Sequence, residues 1–204
     1  MEISETMRRI DLQSELVAVA IVAISLLLIL FLNRRRLQAG LREWRTGRAL
    51  NRIGSEQIRD FVCADGLDGQ YRLERLALTS DAILLINYKP YVGNIYCAER
   101  ISEWTQVVGR QSFKFANPLF ELENQLTALK LAVGNIPLRG YLLFSHSAVF
   151  PKGHPQAVLQ PDTIPATLLK GHGQPARQEV QAAWEQLKWV HANGAGSDEA
   201  RAKT

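Results

Sequence analysis

Glu74, Asn87 and Lys89 are the residues whose types and spacing come nearest to a reactive set. Asn87 and Lys89 stand two apart at the end of the apolar run ILLINYK, residues 83–89, so on a β-strand they share one face. Glu74 lies in the preceding run, which reads as the adjacent strand. An acid on one strand with an acid-x-Lys on the next is an apparatus for metal-assisted phosphodiester hydrolysis. The carboxylates hold Mg²⁺, the metal stabilises charge in the transition state, and the lysine orients or deprotonates the attacking water. Here the acid position of that pair holds Asn87, which keeps an oxygen donor and removes a full negative charge. The same residues also admit ordinary roles: Glu74 as a solvated strand residue, Lys89 reaching to solvent along its stem, and Asn87 bonding a neighbouring turn.

The elements that would position these residues follow from periodicity. Leu50, Ile53, Ile58, Phe61 and Val62 recur at helical spacing, which predicts a helix over 49–62. Asp65, Gly66, Asp68 and Gly69 form a turn cluster. Strands are predicted over 71–79 and 82–89, the second apolar on both faces and therefore central. Residues 93–97 read as a third strand completing a meander. Asn117-Pro118 opens a helix carrying Leu119, Leu122, Leu126, Leu129 and Val133 on one stripe. A strand at 140–145, a short one at 157–159, and a helix over 174–191 with Val180, Trp184 and Leu187 follow, and the last twelve residues read as a disordered tail.

Leu16 to Leu32 has Ser25 as its only polar residue and no charge. As a helix it would span roughly 26 Å, close to the hydrocarbon thickness of a bilayer, which predicts a transmembrane helix. Arg34, Arg35, Arg36, Arg42, Arg45 and Arg48 follow it, against Arg8 and Arg9 before it. That asymmetry puts the N-terminus outside and the C-terminal domain in the cytoplasm. Residues 33–48 carry a net +5, whereas 49–204 carry 16 basic and 15 acidic residues. The basic balance thus belongs to the membrane flank, where arginines meet anionic headgroups, and composition gives no support to a general nucleic-acid patch on the domain. Cys63 and Cys97 read as reduced structural thiols in that compartment. His146, His154, His172 and His191 show no metal-ligand spacing with them.

From about Gly54 to Pro155 the chain resembles the nuclease-related domain (NERD) family of the restriction-endonuclease-like PD-(D/E)XK group. The matching pieces are Gly54-Ser55-Glu56, Glu74, INYKPYVGNIYC, SEWTQVVGR, FKFANPLFELENQLTAL and FPKGHP. The resemblance implies an α/β, restriction-endonuclease-like core, a small mixed sheet with a three-strand meander flanked by helices, preceded here by one N-terminal transmembrane helix. It implies a site of Glu56, Glu74, Asn87, Lys89 and Glu121, with Glu74 and Glu121 as metal ligands and Mg²⁺ as cofactor if the site is active. The chain departs from the family pattern at three of these: Glu74 stands for Asp, Asn87 for the acid before x-Lys, and Glu121 for Gln. The expected organisation is a short segment (1–15), the transmembrane helix (16–32), a basic juxtamembrane helix or linker (33–48), the nuclease-related domain (49–160), a loop and C-terminal helix (161–192) and a tail (193–204). Three functions remain open at this level: a degenerate nuclease fold at the bacterial inner membrane that binds nucleic acid or protein, an active Mg²⁺ nuclease using Glu56, Glu74, Glu121 and Lys89, and a membrane-tethered scaffold offering Trp184 and Trp189 to a protein partner.

Overall fold

A computed structural model describes residues 44–64, 66, 69–170 and 174–201, with isolated positions between 25 and 41. The chain forms two compact units, Met1–Arg42 and Glu43–Thr204. The described positions of the first are helical, and Leu26, Leu28, Ile29, Phe31 and Leu32 are exposed. Most of Leu16 to Leu32 lies outside the described residues, and among those described no helix is long and apolar enough to cross a membrane.

The second unit opens with a helical segment over 44–50 (α1). β1 (Gln57–Ala64), β2 (Gln70–Leu78), β3 (Ile83–Lys89), β4 (Gly93–Tyr96), β5 (Glu103–Val108) and β6 (Gln111–Ala116) follow. Next come α2 (Pro118–Val133), β7 (Leu138–Phe144), β8 (Ala148–Val149), β9 (Val158–Leu159), a 3₁₀ turn at Ala166–Leu168, and α3 (Gln178–Arg201). One sheet has the order β1-β2-β3-β7-β9, antiparallel through β3 and parallel beyond it, and a second has the order β6-β5-β4-β8.

β3 is central because both of its faces are covered. Ile83 and Leu85 join Leu73 and Leu76 of β2, Leu122 and Leu129 of α2, and Val180, Trp184 and Leu187 of α3 in one cluster. Leu84 and Ile86 meet Leu50, Ile53, Leu143, Leu159 and Leu168 on the other face. Each such side chain taken out of water contributes roughly 1.5–3 kcal/mol.

The orientation of α2 is fixed at its start. Asn117 is 2% exposed. Its Oδ1 accepts the Leu119 N–H at 3.0 Å, while its Nδ2 donates to the carbonyls of Glu99 and Ile101 at 3.0 and 2.8 Å. One amide therefore caps the helix and ties down the loop before β5, and Pro118 at the first helical position loses no hydrogen bond.

Four expectations are corrected. Residues 57–64 form β1 rather than the end of a helix. Asp60 has φ 53, and the Asp60/Glu74 pair is missing from an otherwise continuous β1–β2 register. This distortion lets Ile58 and Phe61, three apart, enter the same core cluster, so a kinked strand carries helical spacing. The meander is β1-β2-β3, and residues 93–96 belong to the second sheet. Pro90 interrupts β3's course, and Gly93 (φ 78) turns the chain so closely under β5 that a Cβ there would sit 2.4 Å from the Val107 carbonyl oxygen. β5 and β6 were not foreseen as strands: β6 is an edge strand whose residues are almost all exposed, so it lacks a one-sided apolar pattern. Finally, α3 is helical through Arg201, beyond the expected start of a disordered tail.

Gly93→Ala is expected to lower stability by about 2 kcal/mol or more, whereas Gly109→Ala, also at positive φ but with open space around it, should cost only about 1 kcal/mol. Urea unfolding midpoints of the two variants check this difference.

Candidate functional site at the end of the central strand

The face of β3 that carries Ile83 and Leu85 ends in Asn87 and Lys89, under the first two turns of α2. Asn87 is 3% exposed and donates from Nδ2 to Gln125 Oε1 at 2.7 Å. Gln125, 5% exposed, lies 3.4 Å through Nε2 from Glu121 Oε1. Glu121 Oε2 in turn accepts from Lys89 Nζ at 3.3 Å. Strand and helix are thus joined by a closed chain, Asn87 to Gln125 to Glu121 to Lys89. Its buried half is an amide–amide bond and its outer half an ion pair open to water, worth about 0–1 kcal/mol. Asn87 Oδ1 is buried without a partner.

Glu74 reaches the same strand end from β2. The β2–β3 ladder runs from Leu78↔Ile83 to Leu76↔Leu85. Beyond it the Glu74 carboxylate turns in and its Oε2 accepts the Tyr88 N–H at 2.6 Å. Burial pushes its carboxyl up, against the lowering by the Tyr88 N–H and the charge of Lys89, and Asp60 across the distorted ladder adds to the rise.

Glu56 is not part of this group. It precedes β1, and its Oε2 accepts from Trp184 Nε1 at 3.0 Å and Lys188 Nζ at 3.1 Å. The indole N–H first and the ammonium second hold its carboxyl below the ordinary 4.5. Its backbone carbonyl bonds Leu78, four strand residues from Glu74, roughly 13 Å along β2. Glu56 therefore anchors α3. Trp184, fully buried, does the same and offers nothing to a partner, whereas Trp189 is 69% exposed.

Glu74, Asn87, Lys89 and Glu121 are thus brought to one place, with Gln125 and Asp60 as members that spacing did not reveal. Gln125 had a signal: it is the single polar residue on the buried stripe of α2, among Leu119, Leu122, Ala128, Leu129 and Val133. Asp60 had none, because a positive φ at a non-glycine residue is set by the sheet around it. Among the described residues no three His, Cys, Asp or Glu side chains converge as a metal site.

A mixed sheet flanked by helices, with a lysine ending its central strand beside an acid from the next strand, is consistent with a nuclease-like α/β fold. The family model of NERD, the nuclease-related domain, matches residues 40–149, and the chain belongs to that family. The match runs through β8 and stops before FPKGHP, which the motif resemblance includes. No curated protein and no solved structure matches the chain.

Gln125→Leu should cost about 1–3 kcal/mol by leaving the buried Asn87 amide without an acceptor, while the Asn87→Leu, Gln125→Leu pair should cost less than the two single changes added. A double-mutant cycle in urea reads the coupling. The two displaced carboxyls predict opposite pH effects. A lowered pKa gives stability that is present above the ordinary value and lost as pH falls through the lowered one; a raised pKa makes stability fall as pH rises through the carboxylate range. Glu56→Gln should therefore flatten the acid loss of stability, and Glu74→Gln should remove a decline on the rising side. Unfolding midpoints across that range test this, and same-direction changes in both variants would contradict it.

Proposed function

We propose that this chain is a single-pass, membrane-tethered nuclease-related protein of the PD-(D/E)XK type whose site does not cleave, and that the domain binds nucleic acid at the cytoplasmic face of a bacterial inner membrane. The observation that carries the reading is the chain from Asn87 through Gln125 and Glu121 to Lys89. Lys89, the group that would handle water, is engaged by Glu121. The position that would give Mg²⁺ a second carboxylate holds a neutral amide.

The donors that remain do not fit Mg²⁺. One carboxylate, Glu74, is already bonded to the Tyr88 N–H and raised in pKa by burial. The free Asn87 Oδ1 adds an uncharged oxygen. Glu121 returns a negative charge to the region, yet Lys89 neutralises it at 3.3 Å. A hard cation held by carboxylates loses much of its affinity on such a set. The tether rests on the uncharged run Leu16 to Leu32 and on the six arginines that follow it.

A second reading is favoured by one feature. Glu121 projects from α2 to the strand end, so an active nuclease with its acid moved from strand to helix would use Glu74, Glu121 and Lys89. It would do so without Glu56, which is bonded to Trp184 and Lys188 of α3. A protein-binding role would fall to the exposed Trp189 surface of α3.

Full-length protein in native membranes should stay with the membrane on alkaline carbonate extraction, and release would overturn the tether. Incubated with single-stranded DNA, duplex DNA and RNA in Mg²⁺ or Mn²⁺, it should bind without cutting. Cleavage that disappears in Lys89→Ala and Glu121→Gln would establish the second reading instead.

A further inference from the structure

A cavity of about 310 Å³ lies at the start of the second unit, lined by Arg45, Arg48, Ala49, Arg52, His146, Pro161 and Asp162. The arginines fall at spacings of three and four, which puts them on one side of α1 and the turn that ends it. All three are exposed. Among the described residues none of them is ion-paired. The one acid in the wall, Asp162, is occupied, with its Oδ2 3.1 Å from His146 Nδ1. Three arginines lining a concavity, whose one acid is paired with a histidine of the same wall, make a strong field for an anion of several oxygens. Guanidinium forks match phosphate bidentately.

We propose that this cavity is a binding site for the phosphate of an anionic phospholipid headgroup. Three observations favour lipid over nucleic acid. Arg48 lies 5.4 Å from the Trp44 ring centroid, and Trp44 is 57% exposed, so a cation and an interfacial aromatic stand side by side, as they do at headgroup level. Leu41, 48% exposed, precedes them. Arg45 stands thirteen positions after Leu32, the last of the uncharged run. The site rests on the tether proposed above for its supply of lipid. It goes beyond general attraction of basic residues to anionic membranes because three arginines line one concavity.

Full-length protein in detergent, mixed with equal amounts of phosphatidylglycerol and phosphatidylcholine and examined by native mass spectrometry, should retain one phosphatidylglycerol in preference to phosphatidylcholine. Arg45→Gln with Arg52→Gln should reduce that preference about tenfold or more, the loss expected for charge-assisted hydrogen bonds. Arg100→Gln with Arg110→Gln, far along the chain, should leave it unchanged. Soluble glycerol phosphate should displace the lipid from the wild type, a measurement that holds even if the Arg45 and Arg52 variant fails to fold. Equal retention of both lipids, or a preference untouched by the Arg45 and Arg52 changes in a folded variant, would overturn the site. Displacement by a short single-stranded DNA but not by glycerol phosphate would assign the cavity to nucleic acid and overturn it as well. Carbonate extraction separates this from the tether: a chain released from membranes that still selects phosphatidylglycerol loses the tether and keeps the site.

Discussion

The buried amide bond between Asn87 and Gln125 is the constraint on which the candidate site depends. It joins the central strand to the helix that crosses it, at a point where both partners are almost wholly removed from water. A buried amide left unpaired costs more than a formed bond contributes, so the register of α2 on β3 is set by polar satisfaction as well as by Leu122 and Leu129. From that register everything nearby follows. Glu121, one turn before Gln125, arrives over Lys89, and Glu74 is left to take the Tyr88 N–H.

The chemistry available at the strand end is therefore a consequence of a structural bond. An aspartate or glutamate at residue 87 could not donate to Gln125 Oε1, and it would bring a charge into a nearly closed space. The amide serves the packing. The Asn87 Oδ1 is buried without a partner, a lone acceptor whose desolvation is offset by the rest of the core. Glu56 illustrates the opposite case. It is an acid of the expected type whose neighbours, the Trp184 indole and Lys188, use it to hold the last helix against the sheet.

Much of the fold was legible because burial is patterned. ILLIN, apolar on both faces, announced a central strand; the stripe from Leu119 to Val133 behind Asn117-Pro118 announced α2; Val180, Trp184 and Leu187 announced α3. What was misread has a common physical origin, since local pattern fails where tertiary contacts bend the backbone. The positive φ of Asp60 gave a strand the spacing of a helix, and Gly93 sent residues 93–96 into a second sheet instead of a third meander strand. The edge strand β6, wet on nearly every residue, had no pattern to read.

By itself the sequence determined the family, the order of the main elements, the position of the amide before Lys89 and the concentration of positive charge in residues 33–48. These depend on residue type and local spacing, which the chain carries without folding. The tertiary structure decided which acids meet. It placed Glu121 beside Lys89 and took Glu56 away to α3. It revealed Gln125 as the partner of Asn87 and gathered Arg45, Arg48 and Arg52 with His146 and Asp162 around one cavity. Residues 38 or about a hundred positions apart are neighbours only because strand pairing and helix packing fix their faces, and no local period encodes that.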